Sequence, residues 1–219
     1  MLSVIAPHIC KGCGGVGAVL CERCVFNILQ QKCDVCAVCG RRSPHGNLCA
    51  RCRAHSPFAQ LYAVGWRQTV LLRLLDDFKF NSERAAAQPI AKLLDVRLPE
   101  LAGFTVVPVP TAPAHVRQRG FGHAELVARR LARTRHMQCV PDLLARQTNV
   151  SQHFLNARER QAAAAQAFAL NRRRKLPDKI LLVDDIWTTG ATLSAAARLL
   201  KSAGAQEIIG AVAAVQPKK

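Results

Sequence analysis

The order of apolar and polar positions divides the chain near Ser56-Pro57. Beyond that point apolar runs alternate with apolar-periodic stretches. Leu61 to Trp66 reads as a short strand, and Val70 to Phe80 as a helix with Leu71, Leu74, Leu75 and Phe78 on one face. A second helix is predicted from Glu83 to Leu98, stopping before Pro99. The β-branched run Phe104 to Val109 predicts a buried strand that breaks into a rigid turn at Pro108-Val109-Pro110. Ala124 to Arg135 is predicted helical, with Leu126, Val127 and Leu131 inward and Arg129, Arg130, Arg133 and Arg135 outward. An alanine-rich helix is expected from Asn156 to Gln166. The closing pattern is strand, helix, strand: Lys179 to Asp184, Thr192 to Ala203 with Gly204 as its stop, and Glu207 to Val215. Strands alternating with helices predict an α/β domain over residues 58–219, a parallel sheet with βαβ crossovers.

Residues 1–57 follow a different logic. They hold few large apolar side chains but nine of the chain's ten cysteines, in the pairs Cys10/Cys13, Cys21/Cys24, Cys36/Cys39 and Cys49/Cys52 plus Cys33. Each C-x-x-C can turn two thiolates toward one metal, and two such knuckles supply the tetrahedral sulfur set of a structural zinc. Gly14, Gly15 and Gly40 sit where those turns need a permissive backbone. Consecutive pairing assigns Cys10, Cys13, Cys21 and Cys24 to one ion and Cys36, Cys39, Cys49 and Cys52 to another. Interleaved pairing, or Cys33 replacing a ligand by a register shift, also satisfies the spacing. A segment this poor in core residues would draw much of its folding energy from metal.

Composition narrows the setting. The chain has 219 residues, half of them apolar, enough for a sizeable core. Its 31 Lys and Arg against 14 Asp and Glu give a net charge of +17, which favours polyanionic partners. Met1 to Pro7 lacks the basic and apolar regions of a signal peptide, and apolar runs such as Ile208 to Val215 are strand-length. A cytoplasmic protein without membrane insertion is therefore expected, and reduced thiols fit metal better than disulfides.

The most telling stretch is Ile180 to Leu193, four apolar residues ending in Asp184-Asp185, then Ile186-Trp187-Thr188-Thr189-Gly190-Ala191-Thr192 and a helical pattern. In open α/β sheets ligands bind at the carboxyl ends of strands. Two carboxylates there suit the hydroxyls of a ribose, whereas the helix start that follows attracts an anion through its free N–H groups. Gly190 permits close backbone approach, and the threonine hydroxyls add donors. No lysine follows the glycine as in a Walker loop, and the dinucleotide glycine fingerprint is missing.

The stretch Val183 to Thr192 resembles the phosphoribosyl-pyrophosphate (PRPP) signature of type I phosphoribosyltransferases. The chain as a whole resembles the ComF family (competence protein F, with its GntX-like members). The resemblance extends to the four cysteine pairs, Lys79-Phe80, Pro108-Val109-Pro110 before Arg117-x-Arg119-Gly120-Phe121, and Gln152-His153-Phe154-Leu155 with Arg158. Gly122 and His123 stand where the family usually has Asn-Gln. The resemblance implies a type I phosphoribosyltransferase-like sheet flanked by helices behind a zinc-ribbon module. It also implies an association with uptake of transforming DNA. On it, Asp184 and Asp185 would hold the ribose and Thr188, Thr189, Gly190, Ala191 and Thr192 the 5′-phosphate. Mg²⁺ would accompany PRPP, and Arg117 and Arg119, on a glycine-bearing loop, would clamp the pyrophosphate as an acceptor displaces it. Lys79 is a weaker candidate for that role. The competing reading is a non-catalytic factor that binds single-stranded DNA or proteins of the competence apparatus, with PRPP as effector. Against it stands an aromatic content of 5%, which offers few platforms for stacking bases.

Overall fold

The computed structural model describes residues 7–31, 34–44, 47–80, 83–147 and 167–216. In chain order the elements are α1 (Glu22–Gln30), α2 (Ala50–Ala54), β1 (Gln60–Trp66), α3 (Thr69–Phe80), a 3-10 turn (Arg84–Ala86), α4 (Ala87–Arg97), β2 (Thr105–Pro108) and α5 (Pro113–Arg119). Then follow α6 (His123–Thr134), β3 (Leu144–Arg146), β4 (Phe168–Leu170), β5 (Lys179–Trp187), α7 (Ala191–Ser202) and β6 (Glu207–Val215).

Four strands form a parallel sheet in the order β1-β6-β5-β2. Ile180 to Val183 of β5 and Ile208 to Val215 of β6 are all buried, the continuous apolar run expected of strands covered on both faces. Alternation along β5 sends Leu181 and Val183 into a core with α1, α3, α4 and α6. Ile180 and Leu182 enter the opposite core with Leu193, Ala196 and Leu200 of α7 and with Leu144 and Phe168 of the antiparallel β3–β4 pair. The outer edge of β2 is covered: Val106 N–H donates to the Gln138 carbonyl at 2.8 Å, and Val140 N–H donates back to Val106 at 3.0 Å.

The cysteine-rich segment is spread over both cores. Cys10, Leu20, Cys24 and Ile28 pack with the α3–α4–α6 side, whereas Cys36, Ala37 and Leu48 pack with the α7 side. Polar ties reinforce this. Lys11 pairs with Asp77 and Glu83, each at 3.0 Å, and Arg97 donates to the Leu29 carbonyl at 2.7 Å.

Several expectations shift. The helix predicted from Glu83 opens as the 3-10 turn before α4. Arg117 and Arg119 lie in the last turn of α5 rather than on a loop, because Pro113 starts a helix and Gly120, at φ 78°, ends it in the left-handed region. Strand β5 runs on through both carboxylates to Trp187, carried by its ladder with β6. Arg135 is not outward: its guanidinium is 2.6 Å from Asp95 and donates to the carbonyls of Leu98 and Pro99. The predicted helix Asn156 to Gln166, the Gln152 to Leu155 segment with Arg158, and Cys33 lie outside the described residues.

Candidate ligand site and metal centres

Strand β2 pairs with β5 as far as Pro108 opposite Val183, and the ladder ends there while β5 continues along β6. The acids fall just past that end. A cleft of about 440 Å³ opens beside them, with Lys79, Arg119, Arg146, Asp184, Asp185 and Thr192 in its lining.

Adjacent positions on a strand point to opposite faces, so the two carboxylates have different neighbours. Asp185 takes the α3 side, where Lys79 Nζ lies 2.9 Å from Oδ2 and both side chains are largely shielded. Asp184 accepts the Asp185 backbone N–H at 2.9 Å. Burial first, and the Asp185 charge second, push its pKa up to about 8, against the opposing pull of that N–H, Lys79 and Arg146. Without a ligand the Asp184 carboxyl therefore keeps its proton to a higher pH than an ordinary carboxylate.

The loop after Trp187 turns on Gly190, whose φ of 76° and whose space both exclude a side chain: a Cβ there would lie 2.1 Å from the Trp187 indole. Helix α7 begins at Ala191 with no side-chain cap, so its positive end faces the loop. Thr188 and Thr192 reach the cleft lining; Thr189, Gly190 and Ala191 form the turn between them. Thr189 Oγ1 accepts the Ala191 N–H at 3.4 Å.

Of the two arginines read as a clamp, Arg119 lines the cleft, its guanidinium 5.3 Å from the Phe80 ring centre. Arg117 is exposed and outside the lining. Lys79, ranked below them on sequence, is the cation in contact with an acid. Arg146 was missed altogether; it sits on a three-residue strand whose partner β4 lies far along the chain, a pairing with no local signal. His123 was also missed. It is buried, its Nε2 is 3.1 Å from the Phe78 carbonyl, and burial lowers its pKa, so a neutral ring ties the start of α6 to the residue before Lys79. A groove of about 820 Å³ lies at the opposite end of β2, but its main cation is the Arg135 already engaged with Asp95.

The cysteines form two tetrads, Cys10/Cys13/Cys21/Cys24 and Cys36/Cys39/Cys49/Cys52, each with its sulfurs within 4.8 Å of one another. The consecutive partition is the one the fold adopts. Both tetrads repeat one design. Gly14 N–H donates to Cys10 O and Gly40 N–H to Cys36 O, both at 2.9 Å, closing left-handed turns at φ 75° and 74°. The second cysteine pair then straddles a helix start, Cys21 before α1 and Cys49 before α2. Burial pushes the Cys10 thiol up, but backbone N–H donors prevail and bring it to about 6. Four convergent sulfurs with such donors fit a thiophilic metal ion. Cys139 stands apart, half-buried, its thiol pKa raised by burial.

A profile described as the phosphoribosyl transferase domain matches residues 116–219. Over those residues the chain is similar to phosphoribosyl transferase domains. That domain model covers α6, β5, the acid pair, the Thr188–Thr192 loop and β6, while β1, α3 and the cysteine tetrads lie before it. Relatives extend the likeness forward. DNA utilization protein YhgH of Escherichia coli K12 is 29% identical over 202 residues, covering 86% of this chain and 87% of its own. Competence protein F of Haemophilus influenzae is 26% identical over 205 residues, with the same coverage. Competence protein ComFC of Streptococcus pneumoniae is 25% identical over 204 residues, covering 91% of this chain and 84% of its own.

Two measurements probe this geometry. Metal analysis of protein purified without chelator should find about two thiophilic ions per chain, and stripping them should lower the melting temperature by about 10 °C or more, since each tetrad has at least one cysteine buried in a core. A metal-free preparation with an unchanged melting temperature would contradict that. Asp184 has a higher pKa folded than unfolded, so its stabilising contribution is complete below the ordinary 3.8 and is lost as pH rises through about 8. Asp184→Asn should therefore melt above the wild type at pH 9, with the gap closing toward pH 5; equal melting temperatures at both pH values would remove the buried-carboxyl argument.

Proposed function

We propose that this is a ComF-type phosphoribosyltransferase that binds PRPP at the end of β5, with residues 1–57 forming a module held by two structural zinc ions and docked on residues 58–219. The observation that carries it is the acid pair at that strand end, followed at once by the uncapped start of α7. The 5′-phosphate occupies the α7 start, where free N–H groups and the Thr188 and Thr192 hydroxyls donate to it. Ribose hydroxyls donate to Asp184 and Asp185, which requires Asp184 to give up its proton and Asp185 to exchange Lys79 for the sugar. Lys79 and Arg119 then face the pyrophosphate side of the cleft.

In the reaction the bond from C1 to the pyrophosphate oxygen breaks as an acceptor nitrogen or a water oxygen bonds to C1. Positive charge gathers on the ribose ring and negative charge on the leaving group. Carboxylates beside the ring and cations beside the pyrophosphate oppose both build-ups. Mg²⁺ bound with PRPP supplies further charge neutralisation. Zinc is the metal that four protein thiolates select, and a filled coordination sphere gives it a structural role. No helix among the described residues is long and apolar enough to cross a membrane. A cytoplasmic setting keeps the cysteines reduced. The names of the relatives, DNA utilization protein and competence protein, support a role in competence and DNA utilization.

Calorimetry with PRPP and Mg²⁺ tests the site. The wild type should bind, and the Asp184→Asn, Asp185→Asn double variant should lose about 100-fold or more in affinity, the scale of two charge-assisted hydrogen bonds. Undiminished binding by the double variant would move the site elsewhere.

A second reading, single-stranded DNA binding with PRPP as effector, is favoured by the exposed Arg129, Arg130 and Arg133 of α6 and by the exposed run Arg172 to Lys175. Two of these are already occupied, Arg129 with Glu125 at 2.9 Å and Arg174 with Asp142 at 2.7 Å. Titration with single-stranded DNA across a salt series should give an affinity that falls steeply with salt; no binding at low salt would eliminate this reading.

A further inference from the structure

Trp187 ends β5 and is buried, with its main chain fixed by β6: the Gln216 N–H donates to the Trp187 carbonyl at 2.8 Å. Its indole has two neighbours far apart in sequence. Along one edge, Nε1–H donates to the Ala37 carbonyl at 3.2 Å. Ala37 lies between Cys36 and Cys39, inside the knuckle that supplies half of the second tetrad. Next to that N–H, the benzene half of the ring abuts Gly190, so closely that a Cβ would come within 2.5 Å of three ring atoms. Phe58 braces the same ring at 6.2 Å in an edge-on arrangement. One stiff side chain thus touches a metal-site turn and the turn of the phosphate loop.

We propose that Trp187 is a positioning residue that transmits the shape of the Cys36/Cys39/Cys49/Cys52 centre to the Thr188–Thr192 loop, so that metal in this tetrad sets the loop for ligand. The proposal rests on the phosphate-site and metal-site readings above. The position of the Ala37 carbonyl depends on where Cys36 and Cys39 are drawn, and metal draws both. With the carbonyl in place the indole is held flat under Gly190, and the left-handed turn there has a rigid floor. Release of the metal frees the knuckle, the indole loses its only hydrogen-bonding handle, and the floor under Gly190 becomes mobile. The first tetrad provides an internal control, because Cys10 and Cys24 are buried in the opposite core, away from Trp187.

The experiment is hydrogen exchange on the full-length, metal-loaded protein, read at the peptide spanning Thr188 to Thr192, with metal content and PRPP affinity measured alongside. Trp187→Phe keeps an aromatic ring against Gly190 and removes the N–H. It should keep both metals, speed loop exchange about tenfold and weaken PRPP by about tenfold, the scale of one buried hydrogen bond. Exchange across Ile208 to Val215 should stay unchanged, which a general loosening of the sheet would not allow. Cys39→Ser, which unloads the second tetrad, should speed loop exchange similarly, and adding Trp187→Phe to it should change nothing more. Cys13→Ser, in the first tetrad, should leave the loop alone. Loop exchange in Trp187→Phe equal to wild type, or fully additive effects with Cys39→Ser, overturns the proposal. If Cys39→Ser fails to fold, Trp187→Phe alone still decides, because unchanged loop exchange refutes it. Should wild-type protein not bind PRPP, the phosphate-site reading fails, while the exchange data still decide the coupling.

Discussion

β5 has no free face and no free edge until its end. It lies between β2 and β6, and Ile180 to Val183 are covered above and below. A strand in that position converts sequence neighbours into residents of opposite cores. Where β2 stops pairing at Pro108, the same alternation meets two carboxylates and sends them to different partners. Asp185 is met by a cation from α3, and Asp184 by burial on the α7 side. The cleft is therefore assembled from both layers of the domain, and no single helix or loop could be transplanted with it.

The same two-sidedness explains the cysteine-rich segment. β1 is an edge strand of the four-stranded sheet, and residues of the cysteine-rich segment join the cores on both faces of that sheet. The hairpin-and-helix unit occurs twice, and each copy buries cysteines against a different face. Metal in the two tetrads would close small loops that burial alone could not fold, beside Ile28 in one core and Leu48 in the other.

What could be read beforehand follows from how local the determinants are. The α3 face of Leu71, Leu74, Leu75 and Phe78 was legible because the 3.6-residue period is written in consecutive turns. The limits Glu207–Val215 of β6 were legible because an unbroken apolar run is bounded by polar residues. The cysteine tetrads were legible as ligand pairs, but their consecutive grouping needed the fold. The order of acid pair and Thr-Gly loop was legible because it is written in consecutive residues, and the fold puts it at the end of β5. Helix α5 was hidden because Pro113 and Gly120 read as loop residues, although one starts the helix and the other stops it. Lys79 was underrated, since only the packing of α3 against the sheet brings its ammonium to Asp185. Arg146 had no sequence signal: its strand exists through a partner far along the chain. Trp187 had no role legible in the sequence, because its link to Ala37 joins positions in different parts of the chain.

The free site is quiet by two separate means. Asp185 is balanced by a lysine, and burial holds a proton on Asp184 to a higher pH than usual, so neither carboxyl stands as a bare charge in the way an exposed one would. On the proposed reading, each balance would have to be exchanged as ribose hydroxyls arrive. A substrate that brings its own cation and carries phosphates for Lys79 and Arg119 makes both exchanges favourable at once. A lone sugar or a lone phosphate makes neither, for it leaves an acid or a cation without a partner in a partly desolvated cleft. If the proposed ligand is the right one, selectivity for ribose and phosphates together would follow from the cost of leaving half of the arrangement unmatched.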